Sequence, residues 1–320
     1  MKIVFLGTPE WAVPSFERIL ADGHQVVAVF TQPDRPAGRG NKLQLPPVKV
    51  DALRHNLLVY QPTKVRTPEF RELFESLAPD VAVIVAYGRI IPEWILKIPK
   101  HGFINVHFSL LPAYRGAAPI NWAMVNGERQ TGVTTMQLVP ELDAGDILLQ
   151  SVAEIKPTET ALELGNRLSY LGAELLSETL AKLTEIPPKV QNHTNATFAP
   201  ILKREDGEIN WQQMTAEEIV WRVRGFQPWP GAYTKLKGTR LIIWQAQVVE
   251  QVVEQVVEQE IFAGYQPGTI VRLDKDGIVV ACNKSSWLKI LELQLEGRKH
   301  LNARDFLNGV SVQVGEKLGE

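Results

Sequence analysis

Residues 2–31 read KIVFLGTPEWAVPSFERILADGHQVVAVFT, in which two short apolar runs flank an amphipathic stretch. We predict strands at Lys2–Gly7 and Gln25–Thr31, because apolar runs of this length bounded by turn residues are typical of buried strands. The amphipathic stretch Pro14–Leu20 predicts a helix between them. A strand, a helix and a second strand in this order indicate a parallel pair joined by a crossover helix.

The same alternation continues through the first half of the chain. Further strands are predicted at Asp80–Ala86 and Gly102–Phe108, and further helices at Val48–Arg54 and Pro68–Leu77. We therefore expect an α/β fold, a doubly wound and mostly parallel Rossmann-like sheet, as a catalytic domain over residues 1–188. The first turn, Gly7-Thr8-Pro9-Glu10, lacks the spacing G-x-G-x-x-G, which disfavours a dinucleotide-dependent oxidoreductase.

The last third of the chain has a different pattern. Pro187-Pro188 and the polar segment Gln191–Thr197 predict a linker, which we place at 189–207. Short strand-like runs separated by Gly and Asp-Gly then predict a small β-barrel or curled sheet over 208–320. The motif VVEQ occurs three times across Val248–Gln259, and we interpret it as an elongated hairpin or loop insertion.

Composition excludes several classes of protein. The 320 residues carry a net charge of -2, so the chain as a whole has no basic character that would indicate nucleic-acid binding. Its one cysteine, Cys282, permits neither an internal disulfide nor a cysteine-based metal cluster. The apolar run at the N-terminus is too short for a signal peptide, and no run approaches the roughly 18 residues of a membrane helix. We expect a cytoplasmic protein without a membrane segment.

Candidate catalytic residues lie at the end of the fourth predicted strand and in a later turn. Asn105 and His107 share one face of the strand, at the end where open α/β sheets bind ligands. Such a pair is equally consistent with side chains that satisfy loop backbone groups. Three carboxylates then follow in one turn, and the sequence alone does not choose among Glu141, Asp143 and Asp146.

The run GFINVHFSLLPAYRGAAPINWA at 102–123 and the segment LDAGDIL at 142–148 resemble the signature of the folate-dependent formyltransferases. The resemblance implies a catalytic trio of Asn105, His107 and Asp143, with 10-formyltetrahydrofolate as the formyl donor and no metal. It also implies a loop that contacts the folate, formed by Ser109, Leu110, Leu111 and Pro112. Phe108 departs from the family, whose members more often carry a small residue there; it lies on the opposite face of the strand, so packing is affected rather than catalysis.

Two further regions bear on the formyl acceptor. The Gly- and Pro-rich loop Gln32–Leu43 resembles the insertion loop of the methionyl-tRNA formyltransferases, which implies that Arg39 and Lys42 contact the acceptor end of tRNA. Asn41 replaces a residue that is often basic, which weakens one phosphate contact. Composition alone favours a mobile surface loop over a tRNA contact.

The run RGFQPWPGAY at 224–233 resembles the C-terminal domain of the same family, an OB-like β-barrel that contacts tRNA. We therefore predict a monomeric enzyme that formylates the amino group of methionyl initiator tRNA. A formyltransferase acting on a nucleotide sugar explains the catalytic trio equally well. It leaves the loop Gln32–Leu43 and the C-terminal barrel without a function. An RNA-binding module on an inactive α/β scaffold is a third class, which the trio disfavours.

Overall fold

The computed structural model describes residues 1–37, 42–249 and 264–320. Arg39 and most of the VVEQ repeat lie outside these ranges, and for Lys42 only the backbone is described. The chain folds into two compact units: residues 1–120, 130–155 and 163–201 form the first, and residues 121–129, 156–162 and 202–320 form the second. None of the helices in the described ranges combines the length and apolar character needed to span a membrane.

The first unit is built on a seven-stranded sheet with the order β10-β9-β7-β6-β1-β2-β5. The strands up to residue 201 are β1 (Lys2–Gly7), β2 (Gln25–Phe30), β3 (Arg35–Ala37), β4 (Lys42–Gln44), β5 (Val59–Tyr60), β6 (Val81–Val85), β7 (Phe103–His107), β8 (Arg115–Gly116), β9 (Gln130–Gln137), β10 (Ile147–Glu154) and β11 (Phe198–Ala199). Five neighbouring strands of this sheet are parallel, namely β7, β6, β1, β2 and β5. Strands β9 and β10 extend it in antiparallel orientation. The α/β class predicted from the sequence is confirmed.

The helices that connect these strands are α1 (Val13–Ala21), α2 (Pro47–Arg54), α3 (Pro68–Ser76), α4 (Glu93–Leu96), α5 (Pro119–Val125) and α6 (Ala161–Ala181). The first three begin and end close to the positions predicted from the sequence. Phe30 of β2 and Phe74 of α3 are fully buried and lie with ring centroids 5.8 Å apart, and Phe74 also stacks on Phe103 of β7. These ring contacts hold α3 against the sheet, because the apolar face of the helix is buried between the helix and the strands.

The segment predicted as a linker divides between the two units. Residues up to 201 belong to the first unit: Lys189 forms a β-bridge with Ile147, and β11 pairs in parallel with β8. Residues from 202 onward belong to the second unit. The structure thus divides the chain between residues 201 and 202, because the backbone before that point finds its hydrogen-bond partners in the first unit.

The second unit is an antiparallel sheet with the order β12-β13-β16-β15-β14, and β17 pairs with β16. Its elements are α7 (Ala216–Gly225), β12 (Ala232–Leu236), β13 (Thr239–Val248), β14 (Ile270–Asp274), β15 (Gly277–Cys282), β16 (Ser286–Leu295), β17 (Leu301–Asn302) and α8 (Ala303–Gly309). The chain end closes the sheet into a barrel: Leu318 bridges to Leu236 at one edge, and Lys317 bridges to Thr269 beside the other edge. The smaller OB-like barrel predicted from the sequence is confirmed.

Cys282 at the end of β15 is buried, and this burial raises the pKa of its thiol to about 12. Because the thiolate is the reactive form, we expect Ellman's reagent to label the folded protein very slowly at pH 8. Labelling should become fast in guanidinium chloride, where the thiol regains an ordinary pKa of roughly 8.5. Rapid labelling of the native protein at pH 8 would contradict a buried thiol.

Candidate active site

Strand β7 brings Asn105 and His107 to the carboxyl edge of the parallel strands. Asn105 lies opposite Ile84 of β6, and His107 lies opposite Thr134 of β9. The Asn105 side chain is half-buried, and no hydrogen-bond partner for it occurs among the residues that the structure describes. Its amide group is therefore available to a ligand in the crevice.

His107 is buried, and its two ring nitrogens have different surroundings. Nε2 lies 2.9 Å from the carbonyl oxygen of Tyr114. Since a carbonyl only accepts, Nε2 must carry the proton and donate it. Nδ1 lies 3.8 Å from Oδ2 of Asp143, beyond direct hydrogen-bond distance. In the neutral ring, Nδ1 is thus the nitrogen with the lone pair, and only the imidazolium offers an Nδ1–H.

The position of Asp143 depends on a backbone hydrogen bond and on its own backbone conformation. Its carboxylate Oδ2 accepts a hydrogen bond of 2.8 Å from the N–H of Gly116 in β8. Its backbone has φ = 47°, in the left-handed region that aspartate tolerates better than most residues. Asp143 is buried, whereas Glu141 in the same turn is exposed. The structure thus brings Asp143, and not Glu141, next to His107.

The turn that carries Asp143 requires a glycine two residues later. A Cβ at Gly145 would lie 1.8 Å from the carbonyl oxygen of Gln137, at the end of β9. The backbone there is fixed by a hydrogen bond of 2.9 Å from the N–H of Gln137 to the carbonyl of Asp146. Gly145 therefore allows the turn to approach the sheet closely, and this approach sets the position of Asp143.

The loop after β7 contains the four residues expected to contact the folate. Ser109 is buried, and its hydroxyl donates to the carbonyl of Ala113, 2.6 Å away. Thr134 of β9 donates to the carbonyl of Ser109 and accepts from the N–H of Leu111. Leu111 is buried, whereas Leu110 and Pro112 are partly exposed and remain the members of the group that a ligand can reach.

Phe108 packs away from the catalytic residues, as its place on the strand predicts. It is buried and makes an edge contact with Trp11 at 6.5 Å between ring centroids. Gly165 of α6 makes room for the Trp11 ring of this pair, since a Cβ there would lie 2.3 Å from it. Gly172 of the same helix lies beside Phe108, where a Cβ would be at the ordinary contact distance of 3.5 Å.

A buried polar network supports the Asp143 turn from the side of residues 189–201. Gln191 donates from Nε2 to the carbonyl oxygens of Asp143 and Gly145, at 2.9 and 2.6 Å. The guanidinium of Arg115 donates to Oε1 of Gln191 from Nε at 3.1 Å and from Nη2 at 2.7 Å. Arg115 and Gln191 are both almost completely buried. Neither residue is predicted from the sequence to have a role in the site.

A cationic cleft of about 330 Å³ lies beyond the carboxyl ends of β5 and β6. Its walls comprise three basic and three other side chains: Lys64, Arg66, Arg89, Thr63, Val65 and Ile90. Nε of Arg89 is buried and has no hydrogen-bond partner within the described part of the chain. Cations with an unsatisfied donor beside apolar walls fit a ligand that carries carboxylates. The sequence does not predict this cleft, because its residues come from two separate loops.

The described parts of the loop Gln32–Leu43 form the short antiparallel pair β3 and β4. Lys49, a basic residue that follows this loop, is not available to phosphate, because it donates to Asp34 at 2.7 Å and to Gln61 at 2.7 Å. Hydrogen bonds from Lys49 and then Gln61 hold the pKa of Asp34 below its usual value. Arg39 and the side chain of Lys42 lie outside the described residues, so their contacts stay a prediction.

Comparisons with known proteins bear on this site. A model of the formyl transferases matches residues 1–180, and a model of the formyl transferase C-terminal domain matches residues 201–311. The methionyl-tRNA formyltransferase of Geobacter metallireducens is 48% identical over 100% of this chain and 99% of its own length. That of Alkaliphilus oremlandii is 46% identical over the full length of both.

The chain belongs to the methionyl-tRNA formyltransferase family. The fold of this family member also resembles more distant solved structures. An N-formyltransferase from Helicobacter canadensis, solved with folinic acid and dTDP-3-aminofucose, has a TM-score of 0.64 at 18% identity over 91% of this chain and 98% of its own. HypX from Aquifex aeolicus, solved with tetrahydrofolic acid, has a TM-score of 0.59 at 17% identity over 99% of this chain and 50% of its own.

Proposed function

We propose that this enzyme transfers the formyl group of 10-formyltetrahydrofolate to the amino group of methionyl initiator tRNA. The observation that carries the proposal is the convergence of Asn105, His107 and Asp143 at the carboxyl edge of the sheet, in a chain that matches its methionyl-tRNA formyltransferase relatives over their whole length. We also propose that it acts as a monomer in the cytoplasm, where charged tRNA is used.

The geometry supports direct attack of the methionyl amine on the formyl carbon. The attack gives a tetrahedral carbon with a negative oxygen, which needs hydrogen-bond donors fixed in advance. The free amide of Asn105 supplies one donor. Because Nε2 of His107 is committed to Tyr114, a donor from His107 must be Nδ1–H of the imidazolium. Asp143, 3.8 Å away, pairs with that positive charge and orients the ring.

Collapse of the tetrahedral carbon then breaks its bond to N10 of the folate. The amine nitrogen loses one proton and N10 gains one, so the protons balance without an external acid. Asp143 is the carboxylate placed to accept the amine's proton. Each fixed donor to the oxyanion is worth about 3 kcal/mol of transition-state stabilisation.

The cationic cleft supports folate as the donor. The glutamate tail of a folate carries carboxylates, and Lys64, Arg66 and Arg89 place three cations at the edge of the sheet where β6 ends. The neighbouring strand β7 ends in the catalytic residues, so one elongated donor extends from the cleft to His107. Val65 and Ile90 add apolar surface beside the cations.

The cleft predicts a selective effect on donor binding. Arg89→Ala should raise KM for 10-formyltetrahydrofolate roughly tenfold, because a charge-assisted hydrogen bond contributes about 1.5–3 kcal/mol. KM for tRNA should stay within a factor of two. Lys97→Ala is the control, since Lys97 is an exposed cation paired with Glu93 outside the cleft. An unchanged KM for the donor in Arg89→Ala would exclude the cleft from donor binding.

The loop Gln32–Leu43, with Arg39 and Lys42, predicts a separate effect on tRNA binding. Arg39→Ala and Lys42→Ala should each weaken binding of tRNA and reduce the salt slope of its affinity by roughly one unit, because each removes one phosphate contact. Affinity for the donor should not change. Lys182→Ala serves as the control, because Lys182 is exposed and paired with Glu178 on α6. An unchanged salt slope with weakened donor binding would show that the loop packs against the folate instead.

The assay that tests the proposed function is transfer of a labelled formyl group from 10-formyltetrahydrofolate. Charged initiator tRNA should be formylated, whereas uncharged initiator tRNA should give no product, because it lacks the amine. A dTDP-linked amino sugar, the acceptor class suggested by distant structural neighbours, should also give none. Formylation of the sugar with no product on charged initiator tRNA would overturn the proposal in favour of the nucleotide-sugar alternative.

A further inference from the structure

Gln191 lies in the stretch between β10 and β11 that looks like a linker in the sequence, yet its side chain is only 3% exposed. Its Nε2 atom donates to the carbonyls of both Asp143 and Gly145, two residues apart in one turn. One side-chain amide thus spans the turn that carries the carboxylate facing His107. A surface connection would not need an amide in this position.

Arg115 determines which way the Gln191 amide faces. A guanidinium only donates, so the oxygen of the amide must face Arg115 and the nitrogen must face the two carbonyls. Arg115 is itself fixed within β8, whose backbone pairs with β11. The next residue, Gly116, donates its N–H to the carboxylate of Asp143. Both contacts that hold Asp143 therefore start from the same two-residue strand.

We infer that Gln191 is a positioning residue, which sets the distance between Asp143 and His107 by holding the main chain of the Asp143 turn. The inference rests on the proposed catalytic role of Asp143. The backbone of Asp143 is in the left-handed region, where the turn has no intrinsic preference to remain, so an external contact must maintain it. The 3.8 Å gap to Nδ1 depends on that contact.

Gln191→Glu tests the inference without removing the contact to Arg115. The new carboxylate keeps an acceptor for the guanidinium, but it places an oxygen instead of an N–H against the carbonyls of Asp143 and Gly145. We expect kcat to fall at least tenfold, with KM for both substrates within twofold of the parent. Gln191→Met, which matches the length of the side chain but neither donates nor accepts at those positions, should behave in the same way. Asn192→Ala is the matched control, because the Asn192 side chain is exposed and accepts hydrogen bonds from Thr194, so its kcat should be unchanged.

A double-mutant cycle separates positioning from a general loss of structure. In the Asp143→Ala background, which keeps the main-chain carbonyl, Gln191→Glu should cause no further loss of kcat. Losses that multiply, or a Gln191→Glu variant with the parental kcat, would overturn the inference. Failure of the proposed function would give different results: the parent enzyme would not formylate charged tRNA, or Asp143→Ala alone would retain normal kcat.

Discussion

Asn105→Ala, His107→Ala and Asp143→Ala should each lower kcat for formyl transfer at least a hundredfold. The loss corresponds to about 3 kcal/mol per residue, the contribution expected from a fixed donor or an orienting charge at a developing oxyanion. The measurement is single-turnover transfer of formyl to charged initiator tRNA at saturating donor. The thermal unfolding midpoint of Asn105→Ala should stay within a few degrees of that of the parent, because the Asn105 side chain has no hydrogen-bond partner in the described residues.

The neighbouring carboxylate provides the matched control for Asp143. Glu141 lies in the same turn but is exposed, so Glu141→Ala should keep kcat within twofold. This pair of variants decides between two of the three acids that the sequence left as alternatives. Near-normal turnover in Asp143→Ala, or a large loss in Glu141→Ala, would mean that the carboxylate of the mechanism has been misassigned.

Gly145→Ala should also lower kcat about a hundredfold, although Gly145 carries no functional group. Its new Cβ would lie 1.8 Å from a carbonyl oxygen of β9, so the turn must move away from the sheet. Displacement of a catalytic group by about 1 Å is enough to cost roughly a hundredfold in rate. We expect unfolding to require about 1–3 kcal/mol less free energy, the usual cost of overpacking, measured by urea denaturation.

A glycine with free space around it serves as the control for that substitution. Among the residues that the structure describes, no atom lies within 4 Å of a Cβ built on Gly309 at the end of α8, and no left-handed φ is required there. Gly309→Ala should therefore leave kcat unchanged and leave stability within about 0.5 kcal/mol, as for most surface substitutions. A Gly145→Ala variant that resembles Gly309→Ala in both measurements would show that the turn can relax without moving Asp143.

Local sequence was sufficient to predict the elements of the fold. The strand at Lys2–Gly7 was predicted with the same bounds as the structure gives, and the helix at Pro68–Ser76 differs by one residue at its end. Thr215 and Glu218 have the spacing of a capping box, and reciprocal hydrogen bonds form it at the start of α7. These features depend on residues three or four positions apart, so a single sequence contains the information.

Local patterns specify less of the chemistry of single residues. The face shared by Asn105 and His107 follows from strand geometry, but the choice of Asp143 came from family resemblance and not from spacing. The structure adds the physical difference between the acids, since Asp143 is buried beside His107 and Glu141 is exposed. A local pattern does not encode that difference, because burial depends on which distant strand covers the turn.

The sequence by itself determined the α/β class, the second barrel and the strand that carries Asn105 and His107, because hydrophobic periodicity and turn residues act over short distances. Only the tertiary structure decided that residues 189–201 support the active site and that Gln191 bonds the Asp143 turn, 48 residues earlier in the chain. Only the structure likewise brought Arg66 and Arg89 to one cleft. The physical reason is that a hydrogen bond or a shared cavity between distant segments is set by the packing of the sheet, which leaves no periodic trace in either segment.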